Sequence, residues 1–449
     1  GAATSFKENS SPDGSYDKSR LVGFFGNVNY GYDNRYFLDL SFRTDGSSKF
    51  GRNSRFAPFW SVGVAWNVHK EAFWSGDEKS SLKLRASVGS TGTTNFSSTQ
   101  ALTTYNYDFS KIYNGVFGVS LAGYGNPELK WQNTISYNVG VDMTLLKGLV
   151  TFNGDFYIKN TENLLLPLTV APSTGFSSYV ENIGKLRNTG IEGRLRLNLI
   201  RDTQRDLRWN VTLSAFHNKS KITKLSNQLE EINKYANSDW YNQGTVVYRQ
   251  YEAGRSQTAL MMVRSGGIDP ATGNEVYIKR NGELTFEYDA NDKVKCGDMK
   301  PTIEGNVNTN LTWKGFTLYM LFKYQFGAKA YNGTLASKVE GANPYKNADK
   351  RVLYDRWKEP GDHAKFRRID DRTSPYQTTR LVFDNDLFSL SSVSLSYELP
   401  RDISQKIYAD RVRLMLSTTD VFRLSTIKQE RGTSYPFART FNLSLNVTF

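Results

Sequence analysis

A single cysteine, Cys296, in 449 residues excludes any disulfide within the chain and leaves no thiolate cluster for zinc. The three histidines, His69, His217 and His363, are too far apart for a helical His-Glu-x-x-His site. No glycine-rich dinucleotide fingerprint or phosphate loop is present, and no run approaches the roughly 20 apolar residues of a membrane helix. Residues 1–20, GAATSFKENSSPDGSYDKSR, lack the apolar stretch of a secretion signal. Helical periodicity is almost missing as well, with only KSSL and DKRVLYDRW able to hold a short helix. Asp and Glu are plentiful, so a glycosidase pair is not excluded by count, but none sits in a catalytic motif. DPATGNE reads as an Asp/Pro/Gly turn without calcium-loop spacing. The expectation is a protein that is not an enzyme, with no metal and no cofactor.

Net charge is +13, yet the Lys and Arg residues are scattered, with no basic block and no nucleic-acid module, so nucleic acid is not an expected partner. An anionic membrane surface remains compatible with that charge. What the chain does contain is aromatic residues, 26 Tyr and 27 Phe, at a mean hydropathy of -0.53. Rings in such number without a matching supply of aliphatics need a use other than filling a dry core.

Alternation supplies that use. In GIEGRLRLNL, Ile191, Leu195, Leu197 and Leu199 alternate with Glu192, Arg194, Arg196 and Asn198. RWNVTLSA, YFLDLSFR, WSVGVAW, LKLRASV, ISYNVGVDMTL, FTLYMLFKYQF and RVRLMLSTTDVF repeat the pattern. About 14 such strands can be marked, near the length of a tilted membrane-spanning strand. Tight connections (YDNR, LKG, RDTQRD, WKG) contrast with long ones, near residues 90–130, 219–257 and 326–379. Long loops at one rim and short turns at the other are the habit of an antiparallel transmembrane β-barrel and are rare in a compact soluble domain. Trp60, Trp66, Trp131, Trp209, Trp313, Tyr30 and Tyr36 lie near strand ends, as in interfacial aromatic girdles. The polar-face parity of Arg43, Arg85, Arg194, Arg196 and Arg208 aims them at the lumen, toward carboxylates of the wall or of a plug.

The final residues, TFNLSLNVTF, place Phe441, Leu443, Leu445, Val447 and Phe449 on one face and polar residues on the other. A closing strand of this kind, ending on an aromatic, is similar to the assembly signal of bacterial outer-membrane proteins. In a closed barrel it would pair with the first strand.

Longer stretches carry a resemblance. GFFGNVNYGYDNRYFLDLSFRTDGSSKFG, RFAPFWSVGVAWNVHKEAFW, LKLRASVGSTGT, NPELKWQNTISYNVGVDM, NTGIEG, RWKEPGD, LSYELP and YPFARTFNLSLNVTF resemble the SusC/RagA-like TonB-dependent outer-membrane transporters of Bacteroidetes, in that family's order, from about Leu21 to Phe449. The resemblance implies a 22-stranded barrel of which residues 20–449 form the C-terminal portion. Residues 1–19 would be a flexible segment or the edge of a missing N-terminal part, with the plug and TonB box not in this chain. It further implies a multi-pass protein of the bacterial outer membrane, embedded in its lipid, with extracellular long loops and periplasmic turns. Partners would be the TonB complex, reached through the missing part, and a SusD-like lipoprotein lid, with a dimer of such pairs as a further expectation. The cargo would be a glycan or a peptide. Loop aromatics and polar neighbours, Asp239, Trp240, Tyr241 and Tyr345, are the substrate-contact candidates, since an exposed ring can stack on a sugar face. Alternatives left open by the residues themselves are a passive barrel and a soluble β-rich binding module.

Overall fold

The computed structural model describes residues 18–93, 101–123, 125–169, 178–182, 184–225, 233, 250–343, 345, 347–371, 373–428 and 438–449. One antiparallel sheet of 13 strands dominates it, each strand paired with the next in a continuous meander. In chain order these are β1 (Leu21–Tyr32), β2 (Tyr36–Ser47), β3 (Phe56–Asn67), β4 (Ser81–Thr93), β5 (Gln132–Leu145), β6 (Val150–Glu162) and β7 (Lys185–Asp202), followed by β8 (Leu207–Lys224), β9 (Ile303–Trp313), β10 (Phe316–Phe326), β11 (Leu387–Glu398), β12 (Arg411–Ser425) and β13 (Phe441–Thr448). This agrees with the expectation of about 14 strands, and other paired segments, such as Thr104–Tyr113 with Val116–Gly123, form small sheets of their own. Among the described residues the sheet does not close on itself: β13 pairs with β12, and β1 and β13 are its two edges, as expected for the C-terminal portion of a larger barrel.

Register keeps the two faces apart across many strands. Leu40, Val62, Val88, Tyr137 and Ile158 lie in one row over β2 to β6. Arg85, Gly140, Asp155 and Glu192 lie in another, on the opposite face. A slip of one residue in any strand would send its polar residues to the apolar side, so the alternation itself fixes the pairing.

Connections alternate in length because successive antiparallel strands return to the same rim. One rim carries the links 33–35, 68–80, 146–149, 203–206, 314–315 and 399–410. The other carries 48–55, 94–131, 163–184, 225–302, 327–386 and 426–440. The tightest links use left-handed residues: Asp33 and Asn34 at φ 49° and 53°, and Lys314 and Gly315 at φ 47° and 82°. Two consecutive positive φ angles twist a hairpin in the same sense as its strands.

Buried apolar side chains gather at the long-loop rim. Phe50, Phe59, Leu129 and Trp131 form one cluster, with Phe50 stacked on Trp131 at 4.2 Å between ring centres. Ala336, Val339, Val352, Phe366 and Leu381 form another, inside the loops. Trp131 therefore departs from the girdle expectation: it is buried, and its indole N–H donates to the Arg55 carbonyl at 3.1 Å. Tyr30, Tyr36, Trp66, Trp209 and Trp313 do lie toward the short-turn rim, where Tyr36 and Trp66 stack and both donate to Glu71 Oε1, at 2.8 and 2.9 Å.

Candidate functional site: the polar lumen face and the braced loop rim

On the polar face of the wall, Arg85 from β4 reaches across two neighbouring strands. Its Nε donates to Asp142 Oδ2 at 2.7 Å and its Nη2 to Asp155 Oδ2 at 3.1 Å, while Asn153 Nδ2 donates to Asp142 Oδ1 at 2.8 Å. The lumen-facing reading of Arg85, with wall carboxylates as its partners, matches this geometry. Arg43 pairs with Asp45, its neighbour two residues along the same strand. Arg208 lies 3.9 Å from Asp206 in the short turn that precedes it.

The loop rim is a more elaborate construction. Residues 259–263, ALMMV, are buried throughout and pair as a short strand, Ala259–Met262, with Val294–Asp298. Next to them Arg264–Ile268 and Glu275–Ile278 form a hairpin whose tip is the DPATGNE turn. There the Asp269 carboxylate accepts from the Thr272 N–H at 3.1 Å and the Thr272 hydroxyl at 2.6 Å, and Gly273 takes φ 73°. This is a side-chain-braced turn, as its composition implied. The Thr272 hydroxyl and the two backbone donors hold Asp269 below the usual carboxylate range despite some desolvation.

Two buried carboxylates tie this hairpin to the loop between β10 and β11. Glu340 is 2% exposed and accepts from Arg367 Nε at 2.7 Å and from Arg380 Nη2 at 2.6 Å. Glu275, 3% exposed, accepts from Arg380 Nη2 at 3.0 Å and from the Thr378 hydroxyl at 2.7 Å. Arg367 continues to Asp371 Oδ2 at 2.6 Å, and Arg356 Nη2 donates to the Glu340 carbonyl at 2.7 Å. Burial alone pulls Arg380 down, but the Glu275 and Glu340 carboxylates more than reverse it, so the guanidinium is held above its ordinary value. Burial, reinforced by Glu275 and Glu340 respectively, raises the Tyr277 and Tyr331 phenols and keeps them neutral. Tyr277, Tyr288 and Tyr376 pack as a trio, with the Tyr288 and Tyr376 rings stacked at 4.0 Å. Charges removed from water in this way must be matched by partners, and here each carboxylate meets at least one guanidinium. The arrangement is bracing, suited to holding long loops in one shape.

The wall and its one-sided loops match known proteins. A model described as TonB dependent receptor-like, beta-barrel, matches residues 2–335. The chain belongs to this family. It is 28% identical to TonB-dependent receptor P3 of Formosa agariphila, over 98% of this chain and 46% of that protein. It is 25% identical to TonB-dependent receptor SusC of Bacteroides thetaiotaomicron, over 81% of this chain and 38% of that protein. The chain thus spans less than half the length of these curated relatives. The solved structure of the RagAB peptide transporter shares the fold at a TM-score of 0.80 and 23% identity, over 95% of this chain and 46% of that one. The sheet is accordingly part of the wall of a transmembrane β-barrel.

Within this TonB-dependent receptor wall the candidates from sequence fall in different places. Tyr345 is exposed at the loop rim, and its backbone N–H donates to Asn343 Oδ1 at 2.9 Å. Asp239, Trp240 and Tyr241 lie outside the described residues. Phe441, Leu443, Leu445, Val447 and Phe449 all expose their side chains along one face of β13 or just beyond its end, the pattern of a lipid-facing strand. Cys296 is partly buried, and its thiol donates to the Leu260 carbonyl at 3.3 Å in the short pair of loop strands. Among the described residues no group of three or more His, Cys, Asp or Glu side chains is placed to hold a metal. Sequence reasoning missed the Glu275, Glu340, Arg367 and Arg380 cluster. Its members sit up to 105 positions apart, and the only local hint was the dense charge of KFRRIDDR.

Proposed function

We propose that this chain is the C-terminal barrel portion, residues 20–449, of an outer-membrane importer that takes up a nutrient oligomer, a glycan or a peptide, using energy relayed by the TonB complex. The carrying observation is the one-sided elaboration of the wall: every long connection rises from one rim, and two of them are locked together by buried ion pairs. Loops braced on a rigid barrel suit capture of a solute at one membrane face. Relatives about twice as long as this chain support a plug and TonB box elsewhere in the full protein, with residues 1–19 as a flexible segment or the edge of that N-terminal part. The named relatives and the RagAB fold support a SusD-like surface lipoprotein as lid, and pairing of two such complexes is part of the same reading.

In this account Tyr345 and the segment Asp239, Trp240 and Tyr241 offer rings and polar groups to the solute. Phe441, Leu443, Leu445, Val447 and Phe449 present the signal by which the barrel is assembled. The test is purification of the full-length protein from outer membranes in detergent, with mass spectrometry of what accompanies it. A lipoprotein and a trapped oligosaccharide or peptide are expected. A barrel that comes alone and conducts small solutes without energy would replace the importer with a passive pore.

A further inference from the structure

The apolar face of the wall is not uniform. Register brings Val141, Gly154, Gly193, Ala215 and Gly305 into one row across β5 to β9. Residues with little or no side chain leave a groove there of 560 Å³, bordered by Phe152, Phe156, Ile191 and Ile303. The last three of these are exposed hydrophobics.

A second hollow, of 320 Å³, adjoins the groove on the side of the long loops, and His217 borders both. It lies between the upper end of β8 and residues 295–302, and Lys219, Lys221, Arg255, Lys295 and Lys300 line it. Lys219 and Lys221 share the face of His217, opposite Thr189 and Arg187 of β7. The one acidic residue in the lining, Asp298, already accepts from the Thr258 hydroxyl at 2.6 Å and the Lys300 N–H at 3.0 Å. Arg255 pairs with Glu252, whereas among the described residues none of the four lysines is in a salt bridge.

Four ammonium groups lining one hollow, with Asp298 the one carboxylate among the described lining residues, attract an anion, and a carbon-lined groove beside them takes a hydrocarbon chain. The order along β8 matches a lipid seated in a leaflet, its head at the rim and its tail toward the middle of the span. His217 to Lys221 covers roughly 13 Å of strand. We propose that this is a binding site for a phosphorylated lipid of the leaflet on the long-loop side, with its phosphate among Lys219, Lys221, Lys295 and Lys300 and one acyl chain in the groove over Gly193. The inference rests on the membrane-spanning wall and not on which solute is imported, so the two readings fail separately.

The test uses the full-length protein, delipidated in detergent and titrated with bisphosphorylated lipid A, its dephosphorylated form and inorganic phosphate, with binding read by native mass spectrometry. The phosphorylated lipid should bind at least about tenfold more tightly than the dephosphorylated one, and K219Q/K221Q/K295Q/K300Q should abolish that preference. Raising salt to about 0.5 M should weaken it. Gly193→Leu should weaken acyl-chain binding several-fold; a Cβ there first meets Phe152 at 3.6 Å, an ordinary contact distance. Heat-modifiable migration on gels checks that each variant is folded, and unchanged import by the lysine variant separates this site from transport. Equal binding of both lipid forms, a lysine variant that binds like the parent, or inorganic phosphate binding as tightly as the lipid would each overturn the proposal.

Discussion

Wall and loop rim are held together over different distances. A wall strand finds its partner in the next strand of the meander, and parity decides which face each side chain takes. At the rim, Glu275 meets Arg380 across 105 positions and Glu340 meets Arg367 across 27, inside segments with no repeating pattern. The wall spreads its stability over many equivalent backbone bonds, while the rim concentrates it in a few buried charges. Damage to the first should be gradual and to the second abrupt.

Glu340→Leu is the sharpest way to break that contrast. It leaves Arg367 and Arg380 buried without their shared carboxylate, a loss of about 4 kcal/mol to the rim. Hydrogen exchange should accelerate across residues 264–278 and 356–380 and stay unchanged in β4 to β7. Loosening that spread into the wall would show the two regions to be one cooperative unit. Trp131→Ala comes next, removing the ring that Phe50 and Phe59 pack against, at about 3 kcal/mol. Proteolysis within 94–131 would report it, with the barrel again intact.

In the wall, Gly315→Ala forces a side chain onto φ 82° and brings its Cβ to 2.7 Å from the Glu398 carbonyl. The expected cost is about 1–2 kcal/mol, read as a lower urea midpoint for the whole barrel in micelles. The smallest effect concerns Asp349, held down at about 2 chiefly by hydrogen bonds from the Arg351 side chain and backbone. A carboxyl depressed in the folded state stabilises fully above its ordinary value of 3.8, and that contribution is lost as pH falls through about 2. Acidification across that window should free the short helix Arg351–Tyr354 before any wall strand exchanges.

The wall was legible in the sequence because its information is local. Ile191 to Leu199 declare their face every second residue, and YDNR and WKG declare their turns through residues tolerant of positive φ. Trp131 shows where that reading fails. A ring near a strand end looks the same whether it meets lipid or a loop, and only the Phe50 and Leu129 contacts, brought from two different connections, decide it. The braced cluster was hidden for the same reason, since nothing in the spacing of Glu275 or Glu340 points to guanidiniums so far along the chain. Parity fixes neighbours and faces but not the number of strands in a ring, so the open edges at β1 and β13 followed from the family resemblance and not from the alternation.

The measurement that bears most directly on the account is uptake of the co-purified ligand by intact cells carrying the full-length protein, before and after the inner-membrane proton gradient is collapsed. Energy-coupled import through a loop-capped barrel predicts accumulation that stops when the gradient is lost. Entry at an unchanged rate, ending at equal concentrations on both sides, would contradict it and leave a passive pore.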